Sequence, residues 1–317
     1  MTVKVSCLVS VYNGIDFVYG CLNDLVNQTL FKQGKAEIVI VDSASSDNIW
    51  GIVERFKTDF PNIQYVRTDN RETLYAAWNR AIDLSKGEYL TNSNTDDRHK
   101  DNFLEKLSDN LDKFSAIDLV YADVYQSEVA NQTFNEAKNA AVLKYPQFCF
   151  FDVLFHFQFG CQPMWRRTLH EHIGKFNPLM KAAGDWDFNF RFNLAGKIAK
   201  HIGGIYGLFY KNPNSLSVIN NASAVEQSEL RVKYITHENI IRLLELDNFD
   251  VKSNENKSDA LCQLAIKALR LQLPWEHDQV FSDVGLAKAF FETALQINPS
   301  NQNASEGIKQ CQKLIEA

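Results

Sequence analysis

Ile38-Val39-Ile40-Val41-Asp42-Ser43-Ala44-Ser45-Ser46-Asp47 is the stretch on which the fold turns. Consecutive β-branched residues that stop abruptly at an acid and a run of small polar residues read as a strand buried on both faces, ending in a polar loop. A helical pattern through Phe56 follows. The same unit repeats on either side. Upstream, Val3 to Val11 is dense in apolar and β-branched residues, stops at Tyr12-Asn13-Gly14, and leads into a helical segment over Asp16 to Leu30. Downstream, Asn62 to Val66 reads as a third strand. Thr73 to Ser85 then sets Leu74, Ala77, Trp78, Ala81 and Ile82 on one helical stripe, with Gly87 as its C-cap. Glu88 to Leu90 and Asp118 to Val124 are further strands. Such alternation implies an α/β domain with a mainly parallel sheet. Ligands of these sheets bind outside the carboxyl ends of the strands. The polar clusters Tyr12-Asn13, Asp42 and Asn94-Thr95-Asp96-Asp97 should therefore converge on one edge.

Composition removes several function classes. The 317 residues allow about two domains. With 45% apolar and 23% charged residues, 14 Gly and 7 Pro, the chain is neither disordered nor collagenous. Its 33 basic and 39 acidic residues give a net charge of -6, which argues against nucleic acid as a partner. Cys7, Cys21, Cys149, Cys161, Cys262 and Cys311 stand far apart without metal-ligand spacing, as reduced thiols of a cytoplasmic chain do. Neither a signal peptide nor a spanning helix is expected. A nicotinamide-binding unit needs a Gly-rich turn after its first strand, and Ser10-Val11-Tyr12-Asn13-Gly14 is not one. No G-x-x-x-x-G-K-S/T is present either, so phosphate would be held most simply by a divalent cation on a carboxylate, for which Asp96 and Asp97 are candidates.

Val9-Ser10-Val11-Tyr12-Asn13, Ile38 to Asp42 with Ser45-Ser46-Asp47, and Gly87-Glu88-Tyr89-Leu90 ending in Asn94-Thr95-Asp96-Asp97 occur in an order that resembles the family-two glycosyltransferases of the GT-A fold. The resemblance continues through Gln162-Pro163-Met164-Trp165-Arg166-Arg167 and Ala183-Gly184-Asp185-Trp186-Asp187. Each motif alone is weak, and their order carries the assignment. It implies a GT-A domain over residues 1–220 and an inverting transfer of a sugar from a nucleotide-sugar donor to an acceptor hydroxyl, in polysaccharide or glycoconjugate biosynthesis.

On this resemblance Asp42 bonds the nucleobase, Tyr12 and the backbone at Val11 line the base pocket, and Asn13 and Asn79 join the donor side. Asn94 and Asp96 occupy the family's D-x-D, with Asp96 binding Mg2+ or Mn2+ across the two phosphates. Asn94 replaces the common Asp and removes one charge, although its amide oxygen still accepts a hydrogen bond. Asp185 aligns with the general base, in a position usually preceded by an acid but here by Gly184. Burial beside Trp186 should raise its pKa. Trp165, Arg166 and Trp186 are the acceptor-side candidates.

In isolation each of these residues has a plainer reading. Asp42 could be a helix N-cap, Asp96-Asp97 an exposed capping pair, and Asp185 a surface acid. Their shared position at strand ends and in ordered motifs outweighs that. His156, His170, His172 and His201 lack ligand spacing and read as structural. The aromatic run from Tyr145 to Phe159 is core by default, or else an acceptor wall that brings the enzyme to a membrane surface.

Beyond Ser217 the character changes. Ala222 to Leu246 reads as a long helix, 247–258 as a polar linker, and the remainder as helical. Ala287, Phe290, Phe291, Ala294 and Leu295 before Ile297-Asn298-Pro299 resemble one tetratricopeptide-like unit near 284–315. A helical region over 221–317 packs on the catalytic domain or serves self-association or a protein partner.

The sequence thus describes a cytoplasmic, metal-dependent glycosyltransferase, placed at the inner membrane face if its saccharide or glycolipid acceptor is lipid-linked. The alternative is a non-catalytic nucleotide-sugar-binding or scaffold protein acting through its helical tail. A sugar nucleotidyltransferase ranks lower for want of a Gly-rich basic loop.

Overall fold

The computed structural model describes residues 2–215, 222–272 and 280–316. The expected boundary between residues 220 and 221 lies outside them. Two compact units form, one from residues 1–148 and 158–230 and the other from 149–157 and 231–317.

The first unit runs β1 (Val5–Val11), α1 (Ile15–Val26), α2 (Thr29–Lys32), β2 (Ala36–Asp42), α3 (Ile49–Asp59), β3 (Ile63–Arg67), α4 (Leu74–Leu84) and β4 (Tyr89–Asn92). It continues through β5 (Arg98–His99), α5 (Phe103–Lys113), β6 (Leu119–Ser127), β7 (Ala141–Leu143), β8 (Met164–Arg166), α6 (Leu169–Ile173), α7 (Gly184–Leu194) and β9 (Ala199–Tyr210). It then enters α8 (Ala222–Tyr234). Nine strands form one sheet in the order β3-β2-β1-β4-β8-β6-β9-β5, with β7 beside β6. β3, β2, β1 and β4 are parallel neighbours, as are β6 and β9, whereas β8 runs antiparallel between β4 and β6. This is a mixed α/β, GT-A-like architecture.

Burial explains why the parallel strands lack alternation. Helices cover both faces, and every residue of β2 is buried. Val5, Cys7, Val9 and Val11 of β1 and Ile38 and Ile40 of β2 enter one core with Val18, Leu22 and Leu25 of α1 and Val53 and Phe56 of α3. Each such side chain contributes about 1.5–3 kcal/mol. The helix expected over Asp16 to Leu30 stops at Val26, because Gln28 is buried, donates to the Lys100 carbonyl and accepts from the Leu104 amide.

The second unit contains a 3-10 turn (Phe150–Leu154) and α9 (His237–Leu246), α10 (Asn254–Ala268), α11 (Val284–Ile297) and α12 (Gln302–Glu316). A two-stranded ribbon joins β10 (Leu271–Gln272) to β11 (Val280–Phe281). Two expectations are corrected here. The long helix over 222–246 breaks at 235–236, where the Thr236 hydroxyl accepts from the Asn239 amide and starts α9. Residues 247–258 are not a linker: Asp247 accepts from the amides of Phe150 and Phe151 and the thiol of Cys149, Ser253 caps α10, and Ser258 is buried, donating to the Ala294 carbonyl. The aromatic run packs as core, its default reading. Phe148 and Phe159 pack on Phe192 in the first unit, while Phe151 meets Phe249 and Phe155 meets Phe290 in the second.

Ala287, Phe290, Phe291 and Ala294 are buried in α11. A Cβ at Gly307 of α12 would stand 2.4–2.5 Å from the Phe291 ring, so the absence of a side chain lets that ring lie on the helix backbone.

Candidate active site

Parallel neighbours end together. Register places Val11 beside Asp42 and Leu8 beside Asn92, so the loops after β1, β2 and β4 open on one sheet edge, as expected. The first two loops are fastened to each other. Asn13, at φ 49, donates its amide to Ser45 Oγ at 3.0 Å, and its side-chain oxygen accepts from the amide of Ser46 at 2.8 Å. The Ser43 amide donates to the Val11 carbonyl at 2.9 Å. Asn13 and the Val11 carbonyl therefore fasten the first loop to the second, and Ser45-Ser46 is the partner that the Asn13 turn requires.

Asp42 is fully buried. One carboxylate oxygen accepts from the Ser45 amide at 2.9 Å, and the other from Tyr65 Oη at 2.7 Å and Arg67 at 3.2 Å. The Tyr65 phenol is pushed up by burial and by the Asp42 hydrogen bond and charge. Neither partner was foreseen. The signal was available in the period-2 spacing of β3, because Ile40 pairs with Tyr65 and Asp42 with Arg67 across the ladder. Tyr12 is 43% exposed, with the Arg71 guanidinium 4.0 Å from its ring centroid.

In the third loop Asp97 is buried, and its carboxyl is pushed up to about 8 by burial and the neighbouring Asp96 charge. It accepts from Asn94 Nδ2 at 3.0 Å and from the Tyr210 amide at 3.3 Å. The amide at position 94 thereby acquires a reason: an Asp there would set a second negative charge against Asp97. Asp96 is partly exposed and accepts from Asn212 Nδ2 at 3.1 Å. Asn212 follows β9, and no local sequence signal linked it to Asp96. The side-chain oxygens of Asp96 and Asn94 suit a hard cation such as Mg2+ or Mn2+, which needs only one or two carboxylates when substrate phosphates complete its shell, while Asn212 turns its NH2 to Asp96 and its oxygen to the Asn214 amide. Among the described residues no group of three His, Cys, Asp or Glu side chains forms a denser cation site.

Asp185 lies in the first turn of α7 and is partly exposed. Tyr75 Oη donates to it at 3.1 Å and the Trp186 amide at 3.0 Å. Desolvation outweighs these bonds and pushes the carboxyl up to about 6. Tyr75 sits in the first turn of α4, and the preceding Glu72 amide bonds Ser43 Oγ next to Asp42. Asp185 is therefore on the edge where the strands end. A Cβ at Gly184 would come within 2.6–2.8 Å of the Tyr75 ring, which is held between Trp78 and Phe176. Tyr75 thus accounts for the glycine in place of an acid.

Other candidates serve the scaffold. Asn79 spends both ends of its amide on the Phe176 backbone, at 2.8 and 3.0 Å, and pins the 176–183 loop to α4 instead of meeting donor. Trp165, expected on the acceptor side, is 1% exposed and donates to His170 at 2.9 Å, so it packs in the core. The Arg166 guanidinium donates to the carbonyls of Ile117, Leu111 and Phe114 and is likewise not acceptor-facing. Trp186 is partly exposed beside Asp185. His170 is structural, its pKa pushed down to about 4 by burial. All six cysteines are thiols, and no helix among the described residues is long and apolar enough to cross a membrane.

Comparison with known proteins adds the following. The profile of Glycosyl transferase family 2 matches residues 6–174, more than half of the 317-residue chain. A PGL/p-HBAD biosynthesis glycosyltransferase of Mycobacterium tuberculosis is 26% identical over 187 residues, 59% of this chain and 68% of that protein. The poly(ribitol-phosphate) beta-glucosyltransferase of Bacillus spizizenii is 38% identical over 95 residues, 30% of this chain, and the match spans only 15% of that protein's length. Among solved structures, S. aureus TarS 1-349 in complex with UDP-GlcNAc superposes with a TM-score of 0.61 at 15% identity, covering 99% of this chain and 91% of that one. The mannosyltransferase PcManGT from Pyrobaculum calidifontis, in complex with GDP-Man and Mn2+, gives 0.58 at 18% identity, covering 99% and 86%. At these identities the structural likeness concerns fold alone.

Proposed function

Because the chain belongs to glycosyl transferase family 2, we propose that it transfers a sugar, with inversion, from a nucleoside diphosphate-sugar to an acceptor hydroxyl in the assembly of a cell-surface polymer or glycoconjugate. The observation that carries this reading is Asp185: a carboxylate on the strand-end edge, oriented by Tyr75 and raised by desolvation to about 6. A base with that affinity is ionised at neutral pH and still binds a proton in a transition state. The neighbours that hold UDP-GlcNAc and GDP-Man, and the curated relatives' glycosyltransferase names, support the donor and polymer parts.

In this reading Asp42, buried beneath its partners, holds Tyr65 and Arg67 at the nucleobase side while Tyr12 and Arg71 form the pocket rim. Asn94 and Asp96 face the ribose and diphosphate, and Asp96 would hold Mg2+ or Mn2+ with Asn212 beside it. When bound, the cation neutralises charge on the departing diphosphate. Asp185 takes the proton of the acceptor hydroxyl as that oxygen forms its bond to the anomeric carbon. The bond from that carbon to the diphosphate oxygen breaks on the opposite face, and the electron pair leaves with the nucleoside diphosphate. Trp186 borders the acceptor. The α11–α12 hairpin is read as a tetratricopeptide-like unit for a protein partner or self-association, and the transferase as working on the cytoplasmic side.

The test is thermal stabilisation and nucleoside diphosphate release across UDP-, GDP-, CMP- and dTDP-sugars, with and without Mn2+, in wild type and Asp185→Asn. We expect one donor to stabilise both proteins and only wild type to turn it over. Binding without turnover in wild type, with any acceptor, would favour the scaffold reading. No binding by any nucleotide-sugar would sink the donor-site assignment.

A further inference from the structure

Glu226, on α8, is spent in an unusual way for a half-exposed side chain. Its Oε1 accepts from the Lys181 amide at 2.7 Å, and its Oε2 accepts from the amides of Ala182 at 2.9 Å and Ala183 at 2.8 Å. Those three amides form the turn that leads directly into Gly184 and Asp185. Charge-assisted bonds to backbone N–H groups are about twice as strong as neutral ones. One carboxylate thus fixes the entry of the helix that carries the base, from a segment about 40 residues further along the chain.

The Tyr75 ring leaves no room for a side chain at Gly184, so the turn before it is held from outside, by Glu226. The groups facing Asp185 are few. Tyr75 from α4 and the Trp186 amide donate to it, and Glu226 from α8 acts on it as a like charge that strengthens its hold on a proton. On its own helix Asp187 is paired with Arg191 at 2.8 Å, and the Lys181 side chain in the preceding turn is exposed.

We propose that Glu226 is a positioning residue for the transfer reaction: its carboxylate, bonded to three successive amides, locks the turn that presents Asp185. This rests on Asp185 as the base. It adds a residue outside all of the motifs that carry the family resemblance.

The experiment uses the full chain. In Glu226→Ala, hydrogen exchange should show protection lost at the amides of residues 181–183, a readout that needs no substrate. With the donor found above, Glu226→Ala should lower kcat about tenfold at unchanged donor KM, and Glu226→Gln, which keeps one acceptor oxygen, should fall between it and wild type. Unchanged protection at 181–183 in folded Glu226→Ala protein, or lost protection with kcat unchanged, overturns the proposal. Lost protection in a chain whose transfer is the same with Asp185→Asn instead overturns Asp185 as the base and with it the catalytic role of Glu226.

Discussion

At the scale of single residues, Asp42 accepts three hydrogen bonds, while Asp97 and Asp185 lose water and are raised to about 8 and about 6. For Asp185 the sign is definite. A carboxyl raised above its ordinary value near 3.9 binds its proton more tightly in the folded state, so stability falls as pH rises from about 4 to about 6 and stays lowered above that. Asp185→Asn should therefore raise stability by about 1–3 kcal/mol at pH 8 and by nothing measurable at pH 4, as read from urea unfolding at both pH values. The same group predicts an acid limb in wild-type kcat/KM with its midpoint near 6. A variant that gains stability while losing turnover is what a strained catalytic group produces.

At the scale of elements, the packing of α4 against α7 decides where Asp185 stands. Tyr75 is a packing residue through its ring and a site residue through its hydroxyl. Gly184→Ala puts a methyl group into that ring, which Trp78 and Phe176 keep from moving aside. We expect a loss of about 1–3 kcal/mol and a disproportionate drop in kcat. Combining it with Tyr75→Leu should recover part of the stability but none of the rate, a double-mutant cycle that separates room from hydrogen bonding.

At the scale of the whole molecule, the segment 149–157 leaves the first unit in sequence and joins the second in space. Val153, Leu154 and Phe155 are buried there, Lys267 forms an ion pair with Asp152 and lies over the Phe151 and Phe155 rings, and Asp247 caps the 3-10 turn. The GT-A-like unit is consequently not a contiguous piece of chain. Truncation after residue 230 should expose these apolar residues, giving a protein that aggregates and is cut by protease within 149–157, although the full chain resists at that segment. A truncated chain as soluble and resistant as the full one would contradict this.

Much of the fold was legible because its signals are local. β2 is an uninterrupted apolar run ending in Asp42, β1 ends at Tyr12-Asn13, and parallel strands open their polar ends on one edge by geometry alone. The positions of Asp42, Asp96 and Asp185 in ordered motifs were readable for the same reason. What the sequence could not determine is what those acids touch. Asn212 on Asp96, Tyr75 on Asp185 and Glu226 on residues 181–183 are all contacts across about 40 to 120 positions, created only when distant elements pack. The misassigned residues fail for the converse reason. Asn79, Trp165 and Arg166 carry chemistry suited to a ligand, and only the tertiary structure consumes it on the backbone of Phe176, on His170 and on the carbonyls after α5. Residue type sets what a side chain is able to bind, and burial beside a partner decides whether that capacity remains open to substrate.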